Sequence, residues 1–149
     1  MDEFSNDATV IRIRASFAKQ GLMTTLGAML GEIRPGSVEV ILPVSRSVSQ
    51  QHGFVHGGAV SAIADTAAGY SALSLMPAGR GVLTTEFKIN LVAPAAGDLI
   101  IARGRVVKAG RTLTLVQAEV FADRSGDQKL VALLTATMMS LEDRDDIVD

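Results

Sequence analysis

Apolar residues change their spacing several times along this chain, and each change marks an element. Val10, Ile13, Phe17 and Ala18 recur at helical intervals and predict a short helix over residues 8–24. Leu26 to Ile33 and Val38 to Val44 then frame Arg34-Pro35-Gly36-Ser37, the pattern of a hairpin around a Pro-Gly turn. In its second arm Val38, Val40, Leu42 and Val44 share one face. Ser45 to Phe54 is polar and turn-rich. From Gly57 to Met76 the apolar positions are too continuous for a surface helix and Ala dominates, so a central helix packed on most sides is expected. Pro77-Ala78-Gly79 ends it.

Four strand-like runs follow. In the first, Leu83, Thr85, Phe87, Ile89 and Leu91 alternate with Thr84, Glu86, Lys88 and Asn90, a period of two. Ala93-Pro94-Ala95-Ala96-Gly97 turns the chain into Leu99–Lys108, Ala109-Gly110-Arg111 turns it into Thr112–Ala122, and Asp123 to Asp127 leads to Gln128–Leu141. The links are too short for crossover helices, so the meander is antiparallel. One long buried helix with about six strands predicts an α+β fold, the sheet wrapped around the helix.

Composition adds bounds. The 149 residues suit a single domain over residues 8–141, with residues 1–7 disordered and an acidic, frayed tail over 142–149. With 48% hydrophobic and 20% charged residues the chain is globular. The absence of cysteine excludes disulfides, a thiol nucleophile and cysteine-based metal sites. No signal-peptide pattern opens the chain and no apolar run reaches the roughly 18 residues of a membrane span, which implies a cytoplasmic protein. A net charge of −2 argues against a dedicated nucleic-acid binder. Leu99 to Ala118, however, carries Arg103, Arg105, Lys108 and Arg111 and no acid, a stretch suited either to a polyanionic small molecule or to solvated strand edges.

The chemistry concentrates between Gln50 and Leu73. Gly57 and Gly58 open the long helix, whose first N–H groups have no internal partner and sit at the positive end of its dipole. Without a Cβ at either position, a ligand oxygen can approach those donors, the ingredient of an oxyanion hole. Gln50 can supply a second donor from its side chain. Asp65 is the one acid in the Ala-rich run, and a buried carboxylate near a polarised carbonyl can act as general base or as nucleophile. Held instead by a hydroxyl such as Ser61, it would be only a satisfied core residue. Eight residues separate Gly57 from Asp65, about 12 Å along a helix axis, too far for one Asp side chain to serve its own Gly57. If the two cooperate, Asp65 comes from another subunit, and an antiparallel two-fold pair of helices creates two equivalent sites. His52 and His56 have i, i+4 spacing, but the surrounding glycines oppose a helix there, so no metal site is expected and His56 is read as holding the loop or orienting Gln50. Nucleophile-elbow, dinucleotide and P-loop motifs are absent.

Gly53-x-x-His56-Gly57-Gly58 with Asp65 beyond it resembles the hotdog-fold acyl-CoA thioesterases of the phenylacetate-pathway, PaaI-like group. The resemblance extends over Gly27-Ala28-Met29-Leu30, the hairpin to Val44, Leu83 to Asn90 and the Lys108-Ala109-Gly110-Arg111-Thr112 turn, most of residues 20–140. It implies that the Gly57 N–H polarises the thioester carbonyl with help from position 50, and that Asp65 of the facing subunit is base or nucleophile. It also implies that Thr84 helps hold the attacking water. Many relatives carry Asn at position 50, whereas this chain has Gln50 beside Gln51, which leaves open which of the two faces the carbonyl. Arg111, Lys108 or Arg103 would meet the coenzyme A phosphates, with Gly58, Phe54, Tyr70 and Leu73 around the substrate. The family's homodimers, often paired into dimers of dimers, agree with the reach argument, and no cofactor is implied beyond the coenzyme A of the substrate. Alternatives are a non-catalytic acyl-CoA binding or sensing module on the same fold, a hotdog hydratase or dehydratase, and a purely structural role.

Overall fold

The computed structural model describes residues 7–142, 144–147 and 149. The expected disorder of residues 1–7 therefore lies outside the described residues except at Asp7, whose carboxylate caps helix α1 (Ala8–Ala18) by accepting the Thr9 N–H at 2.9 Å. The single helix expected over residues 8–24 is two: the chain turns extended at Gln20, and α2 (Gly21–Leu26) follows. Val10 and Ile13 are buried, while Ala18, expected in the core, is exposed. Gly27 ends α2 in the left-handed region, φ 76°, so Leu26 belongs to a helix and not to the first hairpin arm.

Strands β1 (Met29–Arg34) and β2 (Ser37–Pro43) form the hairpin, with Arg34 opposite Ser37 across the Pro-Gly turn. Val38, Val40 and Leu42 are fully buried on one face, as the alternation predicts. After a 3-10 turn at Arg46–Val48, the long helix α3 runs from Gly57 to Leu73, three residues short of the expected end. Its C-terminus is finished by a residue 61 positions away in sequence: Arg12 of α1 donates to the carbonyls of Leu73 (2.9 Å), Met76 (3.1 Å) and Pro77 (3.0 Å).

Strands β3 (Gly81–Leu91), β4 (Leu99–Ala109), β5 (Leu113–Arg124) and β6 (Asp127–Leu141) complete one antiparallel sheet in the order β1-β2-β4-β5-β6-β3. This sheet curls around α3, the hotdog arrangement of an α+β fold. The Ala-rich sequence of α3 allows the close approach: Ala64, Ala67 and Ala68 are fully buried against the sheet. Gly104 permits the same from β4, since a Cβ there would lie 2.5 Å from the Ala67 carbonyl oxygen. Ser71 is buried in this contact, donating to the Ala67 carbonyl at 2.7 Å and accepting the Val38 N–H at 2.9 Å.

The expected clean alternation in β3 fails. A bulge between Thr84 and Glu86 places Thr84 opposite Met138 and Phe87 opposite Ala136, both of which are core-facing residues of β6. Parity reverses at the bulge, so Leu83 and Phe87 lie on opposite faces of the strand. The tail, expected as frayed, returns to the sheet at Asp149, whose carboxylate accepts from the Val82 N–H at 2.9 Å and Ser16 Oγ at 2.8 Å. Among the described residues no helix is long and apolar enough to cross a membrane.

Candidate active site

The first turn of α3 builds one half of the site. His56 is its N-cap: the imidazole Nδ1 accepts the Gly58 N–H at 2.7 Å, and the His56 carbonyl accepts the N–H groups of Ala59 (2.9 Å) and Val60 (3.1 Å). An accepting Nδ1 carries no proton, so the ring is the Nε2–H tautomer. Of the four N–H groups that open the helix, the Gly57 N–H alone has no partner among the described residues. Of the two roles expected from sequence, holding the loop or orienting Gln50, the first fits: His56 caps the helix and its N–H donates to the Val48 carbonyl at 2.9 Å, while none of these bonds reaches Gln50. A Cβ on Gly58 would lie 2.9 Å from His56 Nδ1, so the cap depends on that glycine.

The Gly57 end opens onto an apolar cavity of about 410 Å³ walled chiefly by Phe54, Val55, Val60, Leu91 and Pro94. Gln50 lines this cavity and Gln51 does not. Gln50 is held in a tight loop: its backbone N–H donates to the Phe54 carbonyl at 2.8 Å, and its side-chain Oε1 accepts the His52 N–H. With the oxygen turned inward, the amide N–H₂ is the end left for a ligand. Leu91 stands over Gly57, its Cδ1 2.8 Å from where a Cβ at position 57 would be.

Asp65 lies in a different place. It belongs to a half-exposed stripe of α3 formed by Ser61, Ala62, Asp65, Thr66 and Gly69, the face of the helix that its own sheet leaves uncovered. Its Oδ1 accepts from Thr84 Oγ1 at 2.7 Å, and Ser61 bonds the Gly57 carbonyl instead. Burial raises the Asp65 carboxyl above its usual range, and the Thr84 hydrogen bond partly offsets that rise. A second, polar cavity of about 150 Å³ surrounds the pair, lined also by Gln20, Thr66, Gly69 and Tyr70. Tyr70, expected beside Phe54, faces this cavity, its hydroxyl accepting from Gln20 Nε2 at 2.9 Å and bonded to Ser16 Oγ at 2.9 Å. Leu73 is fully buried in the core under α1 and lines neither cavity.

The bulge in β3 serves both halves. Before it, Thr84 is turned toward Asp65; after it, Leu91 is turned toward Gly57. A strictly alternating strand would put these two residues on opposite faces.

Of the basic residues, Arg103 is engaged elsewhere: its guanidinium lies 5.0 Å over the Phe121 ring and 3.3 Å from Glu39. Lys108 and Arg111 are exposed at the β4–β5 turn. That turn ends the row of paired residues Thr84, Met138, Thr114 and Ala109, so it shares an end of the sheet with Asp65. Among the described residues no three His, Asp or Glu side chains gather as metal ligands.

The sequence model of the thioesterase superfamily matches residues 52–128, which span the helix, its glycine entrance and the first three strands of the meander. A thioesterase family protein from Silicibacter pomeroyi is similar over 91% of this chain and 99% of its own, with 46% identity and a TM-score of 0.88. The E. coli PaaI protein from the phenylacetic acid degradation operon shares the fold at a TM-score of 0.80, with 23% identity over 89% of this chain and 93% of its own. A 1,4-dihydroxy-2-naphthoyl-CoA hydrolase from Listeria monocytogenes is 25% identical over 67% of this chain and 81% of its length.

Proposed function

The chain belongs to the thioesterase superfamily, and on that premise we propose that it hydrolyses acyl-CoA thioesters to free acid and coenzyme A. The observation that carries the reading is the Gly57 N–H, which has no partner among the described residues and lies at the positive end of a buried helix, opening onto an apolar cavity. A thioester carbonyl oxygen accepts from that N–H and from the Gln50 side chain. Attack on the carbonyl carbon, by water that gives its proton to Asp65 or by Asp65 itself, forms a tetrahedral oxyanion facing the same donors. Collapse breaks the C–S bond and expels the coenzyme A thiolate; where Asp65 itself attacks, a water then hydrolyses the resulting acyl–Asp65 anhydride, which releases the free acid and restores the carboxylate. Thr84 holds the Asp65 carboxylate and the water beside it.

Asp65 is eight residues beyond Gly57, about 12 Å along α3, and lines a different cavity from it, which supports a site shared between two copies of the chain. In an antiparallel pair each Asp65 faces the other copy's Gly57, giving a homodimer with two sites, which can pair again as a dimer of dimers. Lys108 and Arg111 are the candidate contacts for the coenzyme A phosphates; Arg103, already paired, is not. The reaction requires no metal or organic cofactor.

The test is coenzyme A release, followed with a thiol reagent over aryl- and fatty-acyl-CoA esters, for wild type beside Asp65→Asn. The chain has no cysteine to interfere. Wild type is expected to turn over at least one ester, and Asp65→Asn to lose roughly 10²-fold or more while keeping its fold. Wild type that binds these esters without cleaving them overturns the reading in favour of an acyl-CoA binding module.

A further inference from the structure

We propose that Asp149 is a positioning residue for the Asp65 site: acting through Ser16, it directs the proton of the Tyr70 hydroxyl away from the Asp65 cavity and leaves Thr84 as the side-chain donor to Asp65. The inference rests on the thioesterase reading and deepens it by tying the tail of the chain to the reacting acid.

The direction of each bond follows from what its groups can give. An ionised carboxylate only accepts, so at their 2.8 Å contact Ser16 Oγ donates to Asp149. A hydroxyl has one proton. Ser16 has committed its own to Asp149 and therefore accepts at its 2.9 Å contact with Tyr70, where Tyr70 donates. Gln20 Nε2 donates to the same Tyr70 oxygen at 2.9 Å. The other Asp149 oxygen accepts the Val82 N–H at 2.9 Å, which anchors the end of this relay on β3. The bonds thus run one way, from Gln20 through Tyr70 and Ser16 to Asp149.

The surroundings leave the Tyr70 proton few other places to go. The ring packs with Ile13, Phe17, Ile33 and Val82, whose side chains accept nothing. Of the cations on α1, Arg12 is held by the carbonyls that end α3, and Lys19 is exposed. The remaining charged group is Asp65, which lines the same polar cavity as Gln20, Tyr70, Thr84 and Asp149. Without the Asp149 carboxylate, Ser16 can turn its proton to Tyr70, and the Tyr70 proton then turns into the cavity. A second donor beside Asp65 favours its carboxylate and makes it a weaker base.

The experiment exploits the fact that the chain has one tyrosine. A fluorinated tyrosine in place of Tyr70 gives one fluorine NMR resonance and a phenol that titrates closer to neutral pH. Its titration is followed in wild type, Asp149→Ala, Ser16→Ala and the double variant, with circular dichroism to confirm the fold. Asp149→Ala is expected to lower the phenol midpoint by about half a pH unit or more, because Ser16 can then donate to the phenolate and a nearby negative charge is gone. In the Ser16→Ala background the same change is expected to do less than half as much. The acid limb of kcat/KM is expected to move to lower pH in Asp149→Ala. An unmoved phenol midpoint, an equal shift in both backgrounds, or an unmoved acid limb overturns the proposal. Failure of the thioesterase reading shows itself separately, as wild type inert on every ester, while the fluorine titration still reports on the relay.

Discussion

Burial of Asp65 favours its protonated form, while the 2.7 Å bond from Thr84 favours the carboxylate that the proposed reaction needs. With the folded-state value raised above the ordinary 3.8, the native protein holds the proton more tightly than the unfolded chain. Asp65 therefore detracts from stability as pH rises from about 3.8 through its folded value, and the fold carries an ionised carboxylate at a cost. Removing the Thr84 hydroxyl removes the one contact that lowers the value. In Thr84→Val the acid limb of the kcat/KM profile is expected to move to higher pH, and in Thr84→Ser to stay near wild type. A pH–rate series on all three proteins checks this; an unmoved acid limb in Thr84→Val would show that the hydroxyl does not tune Asp65.

At the scale of elements, α3 is finished by groups of two kinds. Its N-terminus is capped by the adjacent His56, and its C-terminus by Arg12 from a helix at the other end of the chain's first half. Arg12 is partly desolvated there, which lowers its pKa, with Asp149 opposing that shift. Three carbonyl bonds to a charged donor outweigh this burial, so Arg12→Met, which keeps most of the stem, is expected to cost about 1.5–3 kcal/mol. Urea unfolding should show a lower midpoint with an unchanged m-value; an unchanged midpoint would make the cap energetically idle.

The same contrast explains what could be read from sequence. The Pro35-Gly36 turn, the Gly57-Gly58 start of α3 and the meander are encoded by neighbours in sequence, and so is the placement of Asp65 at the middle of the helix, eight residues beyond Gly57. The Arg12 cap and the engagement of Arg103 by Glu39 and Phe121 join distant segments and leave no local trace. The β3 bulge was hidden for another reason: Leu83 to Leu91 alternates without a break, and only the pairing with β6 shows that Thr85 is the extra residue. A hint lay in the chemistry, since uninterrupted alternation puts Thr84 on the face with Glu86 and Lys88, away from the helix that carries Asp65.

The two edges of the sheet differ in a way that bears on the whole molecule. Strand β1 is short and irregular between Leu30 and Ile33, with Glu32 and Arg34 exposed as an ion pair, the features that discourage further pairing. Strand β3 is eleven residues long and open, with Leu83 (47%), Phe87 (43%) and Leu91 (56%) exposed in the single chain. Pairing of two β3 edges about a two-fold axis would cover this edge and lay the uncovered stripes of the two α3 helices toward each other, the geometry that the proposed shared site needs. Complementation between two inactive chains tests it directly. Asp65→Asn retains a competent Gly57, and Gly57→Ala, whose new Cβ is set against Leu91, retains a competent Asp65. A mixed dimer then holds one site with both groups intact and one with neither. Random assortment of equal amounts makes half of the dimers mixed, so co-refolded protein is expected to recover about one quarter of wild-type turnover, although each variant alone is nearly inert. Co-refolded mixtures no more active than their components would place Gly57 and Asp65 of one site in the same chain, and the reach along α3 argues that no single chain can bring them together.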